Sequence, residues 1–406
     1  MHSTRYLILP FIFFSLTAFL FADPTAETPL VPYTPSIMAQ GGASAATASG
    51  FQALYTNPAA YAGDSSLTLL STSMWIHSTP SALLPVGRLL AGGGTPDQET
   101  RDLLEKDFEQ NGGGFGGMIG MGYVGNRVGI GVTAVLDSYF FGNDFPLGLQ
   151  GMVTSEISFT GGLAFPVQVG KGTLYLGGDV RPFVRVSALT DAAETAGFIS
   201  HYLGVDTGGT GSDYMSTTMA LDGYGLGVNL GSMWKGDHLT LAAVARDAGN
   251  TVLSYSRHSL QEVWDSMKAG GLPRPASSGE PGYVPEGSYF LPTDLRFGIA
   301  YRPTQPGSDA RLKPVYQLEM QDVLGTVNPW QEIGPGIVSR LHLGAEIGVG
   351  RALALRAGVN QGYPTAGFGL SLPGVELNAA MFGRETGSGL WDRPAYGASV
   401  DLAIRF

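Results

Sequence analysis

The sequence predicts an all-β fold: a closed antiparallel transmembrane β-barrel of about 14 strands, with the N-terminal segment folded inside the lumen as a hatch. Three observations predict it. From about residue 66 onward, apolar residues alternate with small or polar ones, which is the period of a two-faced strand. Only 14% of the residues are charged, yet after the N-terminal leader no run of about 18 apolar residues could form a membrane helix. The connections between predicted strands are alternately short and long, as in outer-membrane barrels.

The last segment shows the alternation best. One face carries Ala398, Val400, Leu402, Ile404 and Phe406, and the other carries Ser399, Asp401 and Arg405. Earlier segments also place charges on the inward parity, as at Asp294 and Arg296. This pattern is typical of a barrel wall whose apolar face meets lipid and whose inner face meets a wet or plugged lumen.

Fourteen segments carry the pattern, an even number, as a single-chain barrel requires. They lie near residues 66–77, 115–125, 127–137, 152–166, 171–185, 218–234, 238–249, 292–303, 312–324, 338–348, 351–359, 364–372, 374–384 and 394–406. Tight turns are predicted at 125–127, 169–172, 235–237 and 373–374, and long loops at 78–114, 186–217 and 250–291. With a periplasmic C-terminus, the long loops are expected to be extracellular, on a bacterial outer membrane.

The chain ahead of the first strand divides in two. Residues 1–22 have a basic residue, an apolar run and a small residue before Asp23, which predicts a secretory signal peptide, although Leu20 is unusual three residues before the cut. Residues 23–65 are rich in Gly and Ala. Fourteen strands, spaced about 4.8 Å and tilted by about 40°, enclose a backbone diameter of roughly 28 Å. Wall side chains cannot fill that lumen, so residues 23–65 are the predicted hatch and residues 66–406 the barrel.

The composition excludes several classes of function. The chain has no cysteine, so disulfides, Cys-based zinc sites and thiol nucleophiles are excluded. Its net charge of -11 argues against a nucleic-acid partner, which requires clustered Lys and Arg. Residues 120–125 match the dinucleotide fingerprint formally, but a turn and another strand follow instead of a helix. We assign His342, which shares the inward face with Glu346, to a polar network in the lumen. No enzyme activity, cofactor or metal site is predicted.

Two segments carry a family resemblance. Gly41 and Gly42 begin a small-residue segment that is followed by Asn57, Pro58 and Ala59 just before the first strand, and residues 356–367 spell Arg-Ala-Gly-Val-Asn-Gln-Gly-Tyr-Pro-Thr-Ala-Gly. Together they resemble the FadL-type outer-membrane long-chain fatty-acid channels, a superfamily with less characterised and secretion-associated members. The resemblance implies a barrel plugged by its N-terminus. It also implies a hydrophobic cargo that the outer loops capture and that leaves sideways through the wall.

The Asn-Pro-Ala motif has a physical use of its own. Asn57 can bond to nearby backbone, and Pro58 fixes φ so that the hatch turns toward the wall. The alternative is an ordinary turn.

Three loop segments, at residues 97–110, 189–202 and 258–268, show the spacing of short amphipathic helices. The candidate hydrophobic capture residues on the first and third are Leu103, Leu104, Phe108, Leu260, Val263, Trp264 and Met267. Their apolar faces predict either a capture groove for cargo or a lid whose faces pack against each other.

Pro182 lies inside a predicted strand, where proline removes a ladder hydrogen bond. The break is a candidate lateral opening, and the alternative is a bulge near the rim. Several charges have the inward parity and need partners because they lose solvent. The candidate lumen charges are Arg181, Arg185, Arg296, Arg340, His342, Glu346 and Arg356.

Three hypotheses about function follow. The favoured one is passive uptake of long-chain fatty acids or similar hydrophobic molecules. The second is a structural or interaction barrel, such as a surface adhesin or a secretion-system shuttle. It predicts that no continuous apolar path lies behind the loops. The third, a membrane hydrolase, needs a clustered catalytic triad. The expected partners are the lipid bilayer, a hydrophobic ligand, and the barrel assembly machinery, which would bind the C-terminal strand ending in Phe406.

Overall fold

A computed structural model describes residues 24–78, 102, 106, 112–142, 149–191, 193–195, 214–303, 310–327, 335–350, 352–385, 391 and 394–406. The predicted signal peptide, residues 1–22, lies outside these residues. The described strands form a closed antiparallel barrel of 14 strands, so the predicted fold class and strand number are confirmed. Among the described residues, no helix has both the length and the hydropathy to span a membrane.

We number the barrel strands in chain order. They are β1 Ser66–Ser78, β2 Gly114–Gly125, β3 Val128–Gly142, β4 Leu149–Val169, β5 Gly172–Thr190, β6 Met219–Lys235, β7 Leu239–Arg246 with Thr251–Ser259, β8 Tyr289–Leu291 with Asp294–Tyr301, β9 Leu312–Met320, β10 Leu341–Val349, β11 Leu353–Asn360, β12 Tyr363–Leu372, β13 Val375–Glu385 and β14 Pro394–Arg405. The last strand pairs with the first, from Tyr396↔Ser78 to Arg405↔Thr68. This pairing closes the wall and removes the sheet edges.

Two strands differ from the prediction because each consists of two pieces. Asp247 and Asn250 take positive φ angles of 48° and 64°, and this turn interrupts β7 where a hairpin end was expected. The Thr293 hydroxyl accepts hydrogen bonds from the Gly249 and Asn250 N–H groups, at 3.0 and 3.1 Å. The interruptions of β7 and β8 therefore face each other, and the loop predicted to begin at residue 250 begins at 260.

Smaller corrections concern strand and helix ends. Strand β5 runs to Thr190, five residues past its predicted end at 185, and Arg340 ends a 3-10 helix, Pro335–Arg340, instead of lying in β10. The described helices are α1 Pro35–Met38, α2 Tyr214–Thr217 and α3 Leu260–Lys268, and two more 3-10 helices span Gly50–Tyr55 and Pro58–Ala62.

The two ends of the barrel are distinct. Tight turns at residues 126–127, 170–171 and 373–374 lie at one end, which we call the turn end. The connections 79–113 and 260–288 leave from the other, which we call the loop end. Between the ends, the outward side chains form an apolar belt that includes Ile130, Val132, Phe159, Leu226, Phe297, Ile299, Leu343, Leu355 and Val400. At about 25 cal/mol per Å² of exposed apolar surface, such a belt is stable only in lipid.

Candidate functional site

The hatch, residues 24–65, lies in the lumen and contacts the wall at glycines. A Cβ atom at Gly177 would come within 2.4 Å of the Pro58 backbone, and one at Gly358 within 2.5 Å of the Gly41 nitrogen. Real Cβ atoms do not approach that closely, so these contacts require glycine. Hatch atoms lie as near to the Cβ positions of Gly120, Gly129, Gly131, Gly231, Gly344 and Gly367. These glycines lie on seven of the 14 strands, in both halves of the circumference, and the hatch therefore obstructs the lumen.

The Asn-Pro-Ala motif fixes one part of the hatch. Asn57 is fully buried; its Oδ1 accepts from the Ala59 N–H at 3.0 Å, and its Nδ2 donates to the carbonyls of Ala45 and Ser232 at 2.9 and 3.4 Å. Pro58 begins the 3-10 helix that this cap starts. One side chain thus joins two turns of the hatch to β6.

The double glycine fixes another part. Gly41 and Gly42 have φ angles of 69° and 82°, where glycine alone is unstrained. The Gly41 N–H donates to the Thr365 hydroxyl at 3.1 Å, and its carbonyl lies 2.7 Å from His342 Nδ1. His342 is thus a wall contact of the hatch.

A belt of buried charge surrounds the hatch. Arg181 pairs with Glu156 and, at 2.9 Å, with Asp247. The Tyr61 hydroxyl of the hatch donates to Asp179 at 2.6 Å. Burial and the neighbouring Asp179 carboxylate raise the pKa of Tyr61 well above its usual value, so the phenol stays protonated as a donor.

The other candidate lumen charges also have partners. Arg296 bonds to Asp294 at 2.6 Å, and Arg340 donates to the Asp322 carbonyl at 2.9 Å. The remaining contacts join Arg185 to the Thr28 carbonyl at 2.8 Å and to Glu27 at 3.3 Å, and Arg356 to Glu346 at 2.7 Å. Such pairs stabilise only when each charge keeps a partner, and here hatch residues supply some of them.

On the turn-end side of the hatch lies a polar cavity of about 440 Å³. The hatch contributes Ser36, Gln40 and Thr47 to its lining, and the wall contributes Arg302, Glu346, Arg356, Glu376, Asp401 and Arg405. We call this cavity the vestibule. Its side chains suit water and ions, and they do not suit an alkyl chain.

On the loop-end side the lumen has an apolar cluster. Phe183, Leu253, Tyr255 and Leu291 are each at most 5% exposed and pack together. We call these four residues the inner cluster. The Arg181 guanidinium lies 4.5 Å from the Phe183 ring centre, so the inner cluster borders the charge belt.

The wall is interrupted next to the inner cluster. In the described parts of β4 and β5, pairing runs to Ser158↔Phe183 and resumes at Gly161↔Val180 with no register shift. Phe159 and Thr160 therefore have no ladder partners on β5. By this register Phe159 lies opposite Pro182, which has no N–H to donate. The bulge alternative for Pro182 is wrong, because a bulge shifts the register.

Two apolar hollows flank this interruption on the lipid-facing side. The one nearer the loop end is lined by Val132, Ile157, Phe159, Pro182, Val184, Tyr224, Leu226 and Val252, together with Phe183 of the inner cluster. The other is lined by Val128, Ile130, Phe159, Leu163, Val180, Val228 and Leu230. Phe159 and Phe183 thus lie between lumen and lipid.

Of the predicted capture residues, four lie on helix α3. A capping box between Ser259 and Glu262 starts the helix. Val263 is buried, Leu260 is half-buried, and Trp264 and Met267 are 51% and 39% exposed. Leu103, Leu104 and Phe108 lie outside the described residues. The apolar face of α3 is thus divided between packing inward and an exposed patch at the loop end.

Metal binding has no visible support in the described part of the chain. No group of three or more His, Asp or Glu side chains there could hold a metal ion. Residues 120–125, which match the dinucleotide fingerprint formally, lie within strand β2, and strand β3 follows them.

An aromatic cluster surrounds Tyr33, and the sequence did not predict it. The Tyr33 ring lies between Trp75 and His77 of β1 and Phe382 of β13, with ring centres 5.5, 5.1 and 5.9 Å away. The inward parity of Trp75 and His77 was a possible signal, because bulky aromatic residues on the inner face of a wall require something to pack against.

Comparisons with protein-family models and with curated proteins find no match. Solved structures similar to this chain include the toluene transporter TodX of Pseudomonas putida, with 14% identity, 94% of this chain and 99% of that chain covered, and a TM-score of 0.46. The monoaromatic hydrocarbon channel CymD has 15% identity, with 94% of this chain and 99% of that chain covered and a TM-score of 0.49. The translocator domain of the autotransporter NalP from Neisseria meningitidis has 11% identity, with 84% of this chain and 88% of that chain covered and a TM-score of 0.38.

TodX and CymD belong to the FadL-type superfamily. A likeness at this level does not transfer their cargo, and the fold follows from the strand pairing itself. This chain is a plugged 14-stranded membrane barrel that has FadL-type hydrocarbon channels among its structural neighbours.

Proposed function

We propose that this chain is a passive outer-membrane channel for hydrophobic small molecules, which enter between the loops and leave sideways through the wall at Pro182. The observation that carries the proposal is the interrupted β4–β5 ladder. It lies between the inner cluster and two apolar hollows on the lipid-facing side.

Passage along the barrel axis is unfavourable for such a cargo. Beyond the hatch lies the vestibule with its charged lining, and moving an alkyl chain into water there costs about 0.8 kcal/mol per CH₂ group. Exit into lipid at the level of Phe159 avoids that cost. The alternative function, an interaction barrel, predicts that no apolar path lies behind the loops. The inner cluster is apolar and lies on the loop-end side of the lumen, so it favours the channel.

The cargo class is a separate part of the proposal. Long-chain fatty acids follow from the sequence resemblance, whereas the printed names of TodX and CymD specify toluene and monoaromatic hydrocarbons. The long loops would face the outside of the cell. Phe406, 72% exposed at the end of β14, would be presented to the barrel assembly machinery.

A disulfide across the interruption tests the exit. Phe159 and Pro182 stand opposite each other on the outward face by register, and Ile157↔Val184 is the neighbouring pair on the same face. The natural chain has no cysteine, so Phe159→Cys/Pro182→Cys and Ile157→Cys/Val184→Cys are clean, matched variants. We measure uptake of oleate and of toluene by cells whose own hydrophobic-compound channels are deleted.

Oxidation of the first variant should reduce uptake at least about fivefold, with recovery on reduction, because the covalent link keeps β4 and β5 from separating where the ladder is interrupted. The control, which crosslinks strands already paired, should transport equally in both redox states. Equal uptake by the oxidised and reduced forms of the first variant would exclude the sideways exit. A wild-type barrel that transports neither compound would exclude the channel function.

A further inference from the structure

Residues 26–33 form a strap across the loop end of the lumen. At one end, the Thr25 and Glu27 N–H groups each donate at 2.8 Å to carbonyls of residues 288 and 290 beside β8, and the Glu27 carboxylate accepts from the Tyr255 hydroxyl at 2.9 Å. At the other end, Tyr33 lies against β1 and β13. β8 and β1 are opposite each other in a ring of 14 strands, and an extended strap of this length spans about 23 Å.

A cage of four wall side chains holds the Tyr33 ring: Trp75, His77, Phe382 and Arg384. Phe382 stacks nearly parallel to the ring at an interplanar angle of 12°, and Trp75 and His77 meet it edge-on at 75° and 85°. Offset-stacked and edge-to-face contacts are the favourable geometries for aromatic rings.

Arg384 supplies the polar contact of the cage. Its guanidinium carbon lies 5.0 Å from the Tyr33 ring centre, and its Nη1 donates to the phenolic oxygen. Burial raises the pKa of Tyr33, so the ring is held as a neutral phenol.

The wall holds the cage in place without help from the strap. Trp75 is 2% exposed, its Nε1 donates to Asp137 at 2.8 Å, and its ring lies against Gly116, where a Cβ atom would come within 2.4 Å. Phe382 lies equally close to Gly397. These contacts fix both rings whether or not Tyr33 is present.

His77 carries an unmet need for a polar partner. It is 1% exposed, yet neither of its ring nitrogens has a hydrogen-bond partner in the described structure. Its Nε2 lies 3.7 Å from Asp137 Oδ1, beyond hydrogen-bond distance. A buried imidazole without a partner is costly, so the cage keeps an unused polar group beside the ring.

The strap itself is less buried than Trp75, His77 and Phe382 of the cage. Thr28 is exposed, and Pro29, Leu30, Val31 and Tyr33 are half-buried, although Pro32 between them is buried. From this contrast we propose that the cage is a binding site for a phenolic ring, that Tyr33 is its resident occupant, and that an incoming phenol displaces Tyr33 and releases this end of the strap. The inference rests on the proposed function only in that the cargo must reach the loop end of the lumen.

The probe is p-cresol, which is the tyrosine side chain with a hydrogen atom in place of the backbone. Its matched partner is toluene, which lacks the hydroxyl. Binding is measured by calorimetry on the purified full-length barrel. If Tyr33 fills the cage 90–99% of the time, Tyr33→Ala should tighten p-cresol binding about 10- to 100-fold, because the resident competitor is gone. In that background, Arg384→Met should weaken p-cresol binding and leave toluene binding unchanged.

Tyr55→Ala is the control for a merely artificial hole. Tyr55 is a second tyrosine of the hatch, buried against Phe51 and outside the cage. Its removal leaves a similar volume without Arg384 or His77, and p-cresol binding should not tighten. An equal gain in both alanine variants would overturn the proposal.

A single cysteine reports the strap directly and avoids variants that lose the Tyr33 ring. In Val31→Cys, saturating p-cresol should raise the rate of thiol labelling at least about fivefold, and toluene should raise it less. If p-cresol binds and the rate does not change, Tyr33 is not displaced and the proposal fails. That result leaves the channel function intact, since uptake through the Pro182 gap is measured separately.

Discussion

The two ends of the lumen differ in chemistry although a single hatch separates them. At the loop end, the inner cluster and the cage present aromatic and aliphatic side chains. At the turn end, the vestibule presents carboxylates, guanidinium groups and amides. A hydrophobic solute is therefore stable down to the level of the hatch and unstable below it, and the charge belt around Arg181 marks the boundary. The difference favours the proposed exit in the wall, at the depth where the lining changes.

Removing the divider should have the largest effect. Deletion of residues 40–60 takes away most of the segment that docks on the wall glycines, and conductance to small ions in planar bilayers should rise from near zero toward that of an open pore, since only residues 24–39 and 61–65 of the hatch then remain inside a wall with a backbone diameter of roughly 28 Å. The control deletes an equal number of residues, 262–282, from the loop after β7 and should stay closed. A folded barrel without residues 40–60 that still conducts no ions would contradict the assignment of the hatch.

Breaking the charge belt should have the next largest effect. Arg181→Met leaves Glu156 and Asp247 without their shared cation, and removing one partner of a buried pair costs about 3–5 kcal/mol. The control is Arg274→Met, which breaks the exposed pair with Glu280 and should cost about 0–1 kcal/mol. Both are measured as urea midpoints of the refolded barrel. Equal midpoints would mean that the belt is as wet as the surface, which would remove the sharp boundary between the two ends.

Most of the wall could be predicted from the sequence because strand parity is a local property. Arg296 faces inward and Phe297 outward in β8, as alternation requires. The strand predicted over residues 238–249 and the loop predicted from residue 250 placed a strand end at the turn over residues 247–250. It is instead an interruption inside a strand, and only the matching break at Thr293 in β8 shows this.

The candidate site was predictable only in part, because its contacts join residues that are far apart in the chain. Pro182 announces a lost hydrogen bond on its own, but the absence of a bulge depends on the register on both sides of it. Inward glycines such as Gly129 and Gly131 are visible as small residues, whereas their contacts with Tyr61 and Leu54 of the hatch join distant parts of the chain. The cage and its occupant bring together residues 33, 75 and 382, and no periodicity connects positions so far apart.

The smallest expected effect tests how far the apolar character of the loop end extends toward solvent. Trp264→Ala removes a half-exposed ring from α3 while Val263 keeps the helix packed, so thermal stability should change little and binding of a hydrophobic probe such as oleate should weaken about two- to fivefold. Trp391→Ala is the matched control, because Trp391 is a 68% exposed tryptophan on the connection between β13 and β14, and it should leave binding unchanged. Calorimetry on the purified barrel separates the outcomes. Equal weakening by both variants would mean that any exposed ring at the loop end attracts the probe, and unchanged binding by both would place capture inside the lumen.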